Sequence, residues 1–132
     1  MKKYLPYGRQ SITNKDISSV KKILKSDFLT TGPTIKLFEK SLSKFCRSKF
    51  AVAVNSATSA LHIACLSLGI KKGDIVWTSP ISFVASANCA IYCGAKIDFI
   101  DIDINSFNIS IENLKKKLII AKKKNKLPKV II

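Results

Sequence analysis

Phe50-Ala51-Val52-Ala53-Val54-Asn55-Ser56-Ala57-Thr58-Ser59-Ala60-Leu61-His62-Ile63-Ala64-Cys65 is the stretch on which the fold turns. Its first five residues form a short apolar run of strand composition, whereas residues 58–68 carry a helical pattern that Gly69 stops. The change of pattern predicts a strand that passes through a small polar loop directly into a helix. The same alternation follows downstream: a strand at residues 75–78, a helix at 82–93 stopped by Gly94, a strand at 96–101, a helix from 111 to about 122, and a further strand opened by Lys129-Val130-Ile131-Ile132. Parallel strands need a long crossover, and a helix supplies it, so repeated βα units predict an α/β fold with a parallel sheet covered by helices.

Upstream, Thr13 and Asp16 make a capping-box pattern ahead of Ile17, Val20 and Leu24, predicting an amphipathic helix that ends near Asp27. The loop Leu29-Thr30-Thr31-Gly32-Pro33 leads into a second helix, with Pro33 in its first turn, the stripe Ile35, Phe38, Leu42 and Phe45, and an end near Arg47. The chain therefore divides into a helical segment at residues 1–48 and an α/β portion at residues 49–132. The last residues are an apolar run with no turn or polar cap after it, and the expectation is an incomplete domain cut within its sheet.

With 132 residues and 47% hydrophobic content, the chain is long and apolar enough for a real core, and no apolar run approaches the roughly 20 residues that cross a bilayer. Met1-Lys2-Lys3-Tyr4-Leu5-Pro6 has no apolar segment of a signal peptide behind it, so a cytoplasmic location is expected. Cys46, Cys65, Cys89 and Cys93 each fall in an apolar helical pattern, which predicts buried free thiols rather than a metal site. The formal charge is +15, yet only Arg9 and Arg47 among the 23 basic residues are arginine. Lysines scattered along the chain argue against a nucleic-acid reader, and the densest run, around Lys115-Lys116-Lys117, reads as a solvated helix face.

Open α/β sheets bind ligands at the carboxyl ends of their strands. The loop from Asn55 to Ala60 enters a helix with small residues and hydroxyls, and a helix start offers free N–H groups and partial positive charge, so Thr58 and Ser59 read equally as a phosphate cradle or as simple helix caps. The next loop, Thr78-Ser79-Pro80-Ile81-Ser82-Phe83, brings an aromatic ring to another helix start, where Phe83 either stacks on a flat ligand or packs in the core.

Taken in order, Asn55-Ser56-Ala57-Thr58-Ser59-Ala60-Leu61-His62, Gly69-Ile70-Lys71-Lys72-Gly73-Asp74, Ser79-Pro80-Ile81-Ser82-Phe83-Val84-Ala85-Ser86-Ala87-Asn88 and Gly94-Ala95 before Asp101 resemble the pyridoxal-phosphate sugar aminotransferases of the DegT/DnrJ/StrS type. The Ser-Pro-Ile-Ser-Phe-Val-Ala wording is nearest to the branch acting on UDP-linked 4-keto-6-deoxy amino sugars in pseudaminic acid synthesis. The resemblance implies the N-terminal part of the large domain of an aspartate-aminotransferase-like, fold-type-I protein. It further implies that Thr58 and Ser59 bind the phosphate of pyridoxal 5'-phosphate, that Phe83 stacks on its ring, and that Tyr7, Thr31 and Gly32 lie near a nucleotide sugar. Glutamate is the implied amino donor and a homodimer the implied full-length assembly. Ala57 stands where many members have glycine, and His62 is expected to support packing. The Schiff-base lysine and the acidic partner of the pyridine nitrogen are expected beyond Ile132, so no catalytic residue is assigned and the isolated chain is expected to be inactive. Two other readings stand beside this one: a non-catalytic basic binding module, and a split-gene subunit completed by another polypeptide.

Overall fold

Val76, Trp77 and Thr78 are enclosed on both sides, and the strand that carries them is the middle of the sheet. The computed structural model describes residues 4–132, so Met1, Lys2 and Lys3 of the signal-peptide reading lie outside the described residues. In chain order the elements are α1 (Asn14–Leu24), α2 (Pro33–Phe45), α3 (Ala57–Ser67), β1 (Ile75–Thr78), α4 (Ala85–Tyr92), β2 (Lys96–Phe99), α5 (Ile111–Lys123) and β3 (Val130–Ile131). The sheet runs β2-β1-β3 with both pairings parallel, Val76 lying opposite Ile97 on one side and Val130 on the other.

Side chains alternate across a strand, and β1 uses both faces. Val76 packs with Cys65, Ile70, Cys89, Ala90 and Ala95, the contribution of α3, α4 and their following turns. Trp77 packs with Ile100 and Ala121, backed by Leu114 and Leu118 of α5. The result is helices on either side of a parallel sheet, which explains why Ile75, Val76 and Trp77 of β1 are consecutive apolar residues and do not alternate with polar ones.

The chain forms two compact units, one reaching to Ala53 and one spanning Val54–Ile132. In the first, the Thr13 side chain accepts from the Asp16 N–H at 3.3 Å while the Asp16 carboxylate accepts from the Thr13 N–H at 2.7 Å, the capping box expected from the sequence. Pro33 opens α2 behind Gly32 as N-cap.

Three expectations are corrected. Residues 50–54 form no strand: they pair with neither edge of the sheet, and the Ala53 N–H donates instead to the Glu39 carboxylate at 2.9 Å. Strand propensity needs a partner strand to become a ladder, and among the described residues none is offered. The cysteines are not all buried, since Cys46 is the exposed C-cap of α2 and Cys93 is half-buried at the end of α4. Cys65 and Cys89 are buried, and desolvation first, then a hydrogen bond with Cys89, pushes the Cys65 thiol up to about 11. Finally, Lys117 is not on a solvated face; its ammonium pairs with Asp98 at 2.7 Å and lies 4.9 Å from the centre of the Trp77 ring.

Candidate functional site

Ser56 caps α3, its hydroxyl accepting from the Ser59 N–H at 3.1 Å. Thr58 and Ser59 follow in the first turn and are half-buried. The Ser59 hydroxyl donates to Asn55 Oδ1 at 2.7 Å, which ties the loop to the helix it enters. The first N–H groups of a helix have no intrahelical acceptor, and with Ser59 capped those of Ala57 and Thr58 face outward from the turn. No acidic residue occurs between Val54 and His62, so nothing in this turn opposes an anion.

Two contacts orient α3 and α4 on the sheet. The Lys129 ammonium, at the start of β3, hydrogen-bonds the Gly69 carbonyl just past α3, and Gly94, just past α4, lies against Lys72 with 3.6 Å between its Cβ direction and that side chain. Both helices thus end at the amino edge of the sheet and, packed together, begin toward its carboxyl edge. His62 of α3 and Tyr92 of α4 meet edge to face with centroids 5.3 Å apart, the packing role expected for this histidine.

Phe83 precedes α4 and is 69% exposed, so it is not a core residue. It lines a cavity of about 220 Å³ together with Thr78, Ser79, Ser82, Ser86 and Phe99. Thr58 and Ser59 are not among the residues lining this cavity. Thr78 and Ser86 lie in the stretches that the sequence marked but carried no assigned role there, and Phe99 was not singled out. Thr78 is buried and its hydroxyl donates to the Ile132 carbonyl at 3.1 Å, locking the carboxyl ends of β1 and β3 together. In the other unit, Tyr7 is fully exposed ahead of α1, Thr31 adopts a left-handed backbone with φ 52°, and Gly32 closes on Phe28, where a side chain would meet the Phe28 Cβ at 2.8 Å.

An anion-compatible helix start and an exposed ring at the next loop fit a phosphorylated, flat group. Residues 10–131 match the DegT/DnrJ/EryC1/StrS aminotransferase family. The chain belongs to that family. Among its relatives is the UDP-4-amino-4,6-dideoxy-N-acetyl-beta-L-altrosamine transaminase of Campylobacter jejuni, 44% identical over 115 residues, which cover 87% of this chain and 30% of the relative. The Bacillus subtilis spore coat polysaccharide biosynthesis protein SpsC is 44% identical over 106 residues, 80% of this chain and 27% of that protein. Of solved structures, Helicobacter pylori PseC, an aminotransferase involved in the biosynthesis of pseudoaminic acid, superposes with TM-score 0.84 at 34% identity, over 98% of this chain and 33% of that one. The PLP form of the putative sugar aminotransferase Spr1654 of Streptococcus pneumoniae gives 0.79 at 30% identity, over 85% and 29%. The family chain described here thus spans about 30% of the length of the curated relatives it matches, and its sheet with flanking helices is part of the fold-type-I large domain.

Proposed function

We propose that this chain provides the cofactor-cradling start of an aminotransferase that moves an amino group from glutamate to a nucleotide-linked 4-keto-6-deoxy sugar. The observation that carries the reading is the family match over residues 10–131, which includes both the α3 start and the Phe83 loop. Pyridoxal 5'-phosphate, when bound, supplies an electron sink for that transfer. The Ala57 and Thr58 N–H groups and the Thr58 hydroxyl would donate to its phosphate, whose negative charge the α3 dipole would favour. Ser59 keeps the loop in place through Asn55 and adds a hydroxyl when it turns toward the anion. Phe83 would stack on the flat pyridine ring and shield it from water. Tyr7 and the turn at Thr31 and Gly32 contact the nucleotide sugar. None of the chain's lysines is given the covalent or proton-moving role, and the active assembly is a homodimer in the cytoplasm.

The test is a chimera in which residues 10–131 replace the matching segment of the Campylobacter jejuni transaminase. Transamination of a UDP-4-keto sugar by glutamate is expected, with Thr58→Val weakening pyridoxal phosphate binding about tenfold, the value of one hydrogen bond to a charged group. A folded chimera that binds the cofactor equally well with and without the Thr58 hydroxyl contradicts the cradle.

A further inference from the structure

Phe107 is a bulky residue in the left-handed region, φ 57°, and its ring is 60% exposed. That conformation is unfavourable for any residue with a Cβ and needs a surrounding structure that enforces it. Here the enforcement is explicit. The Phe107 N–H donates to the Asp103 carbonyl at 2.8 Å, the Asp103 N–H donates to the Asn108 carbonyl at 2.8 Å, and the Ser110 N–H returns to the Asp101 carbonyl at 2.9 Å. The Asp103 carboxylate accepts from the Ser106 N–H at 2.8 Å and the Asn105 N–H at 3.1 Å, and the Ile102 to Ile109 bridge closes the loop. These bonds hold Phe107 in its strained backbone conformation, and the ring they present adds nothing to the core.

Phe107 lines a hollow of about 440 Å³ together with Ser79, Ile81, Ser82, Asn108, Ile109 and Ile111. Ser79 and Ser82 also line the Phe83 cavity, so the loop between β1 and α4 is the common wall of the two. An exposed aromatic face beside two hydroxyls and a carboxamide is a mixed lining: the ring suits the C–H face of a pyranose, and the Ser and Asn groups pair with its hydroxyl and amide substituents.

We propose that this hollow is a sugar subsite, in which Phe107 carries the ring of the nucleotide-linked sugar and Asn108 and Ser82 read its polar substituents. The inference rests on the aminotransferase reading for the presence of a sugar substrate, and it assigns Phe107, Asn108 and Ser82 as specificity-determining residues. Because a site built to pair with hydroxyl groups penalises analogues that lack them, the subsite discriminates between sugars at this point.

The experiment is two-dimensional amide NMR of the 132-residue chain titrated with UDP-N-acetylglucosamine, with UDP as control. Shifts at Phe107, Asn108 and Ser82 that appear with the sugar nucleotide and not with UDP are expected. Phe107→Ala and Asn108→Ala should each weaken the sugar-dependent binding at least fivefold, and Phe107→Tyr should restore it. Phe107→Gly relieves the left-handed strain and leaves the fold intact, so it should lose the binding while melting no lower than the parent. Absence of sugar-dependent shifts at these residues, or equal binding by Phe107→Ala, overturns the subsite. A parallel titration with pyridoxamine 5'-phosphate separates the two claims: shifts at the start of α3 with this compound, but no sugar-dependent shifts at Phe107 with UDP-N-acetylglucosamine, leave the cofactor reading standing and remove the subsite, whereas sugar-dependent shifts at Phe107 with none at α3 from pyridoxamine 5'-phosphate keep the subsite and remove the cradle.

Discussion

Lys117 shows how one side chain fastens a helix to a sheet. Its ammonium meets the Asp98 carboxylate, the Phe99 carbonyl and the Trp77 ring together. Replacing it by methionine keeps the stem and removes the charge; a loss of about 1 kcal/mol is expected, or roughly 3–5 °C in a thermal melt. Burial pushes the Asp98 carboxyl up, but the hydrogen bonds from Lys117 and the Phe99 N–H outweigh it and hold the group below the ordinary carboxylate range. A carboxyl depressed in the folded state stabilises at pH above its unfolded value of about 4 and loses that contribution as pH falls through the lower folded value. Stability of the parent should therefore decline below about pH 4, and Asp98→Asn, measured by urea melts from pH 7 down to 3, should show a shallower acid limb. An unchanged limb would mean that the ion pair is a surface contact without consequence.

Among the elements, those specified by local chemistry were readable and those that depend on a distant partner were not. Thr13 with Asp16 announced α1, and Ser110, accepting from the Asn113 N–H, caps α5 where the pattern placed its start. β1 was legible because an apolar run of its length, with a helix on each side, has few other fates. Residues 50–54 have the same composition and yet make no ladder, because pairing is a property of two segments and sequence periodicity describes one. Lys117 was misread for a related reason: its helical position shows a lysine run, not that an acidic residue and an indole wait across the groove. At the candidate site the α3 start and Phe83 were visible as small polar loops before helices, while Phe107 was not, since nothing in its neighbours announces a left-handed backbone. Helix capping gives the matching prediction: Ser56→Ala should cost about 1 kcal/mol and speed hydrogen exchange at Ser59, whose N–H loses its acceptor. Equal exchange in the variant would show that the cap is not holding the cradle.

Over the whole molecule, apolar side chains outnumber the places available to bury them. No residue of α1 or α2 is buried, and Ile17, Val20, Leu24, Ile35, Phe38 and Leu42 are all exposed, as are Ile63, Leu66 and Ile91 in the second unit. Exposed apolar area of this kind marks a surface that associates. The chain alone should form small reversible oligomers whose mean mass in light scattering rises with concentration, and a concentration-independent monomer would contradict this. Amide NMR with pyridoxamine 5'-phosphate, which lacks the aldehyde that would react with the chain's 21 lysines, tests whether the start of α3 is a phosphate cradle. Shifts are expected at Ala57, Thr58 and Ser59 with the phosphorylated compound and none there with pyridoxamine itself. Equal shifts with both compounds, or shifts only at scattered lysines, would contradict it.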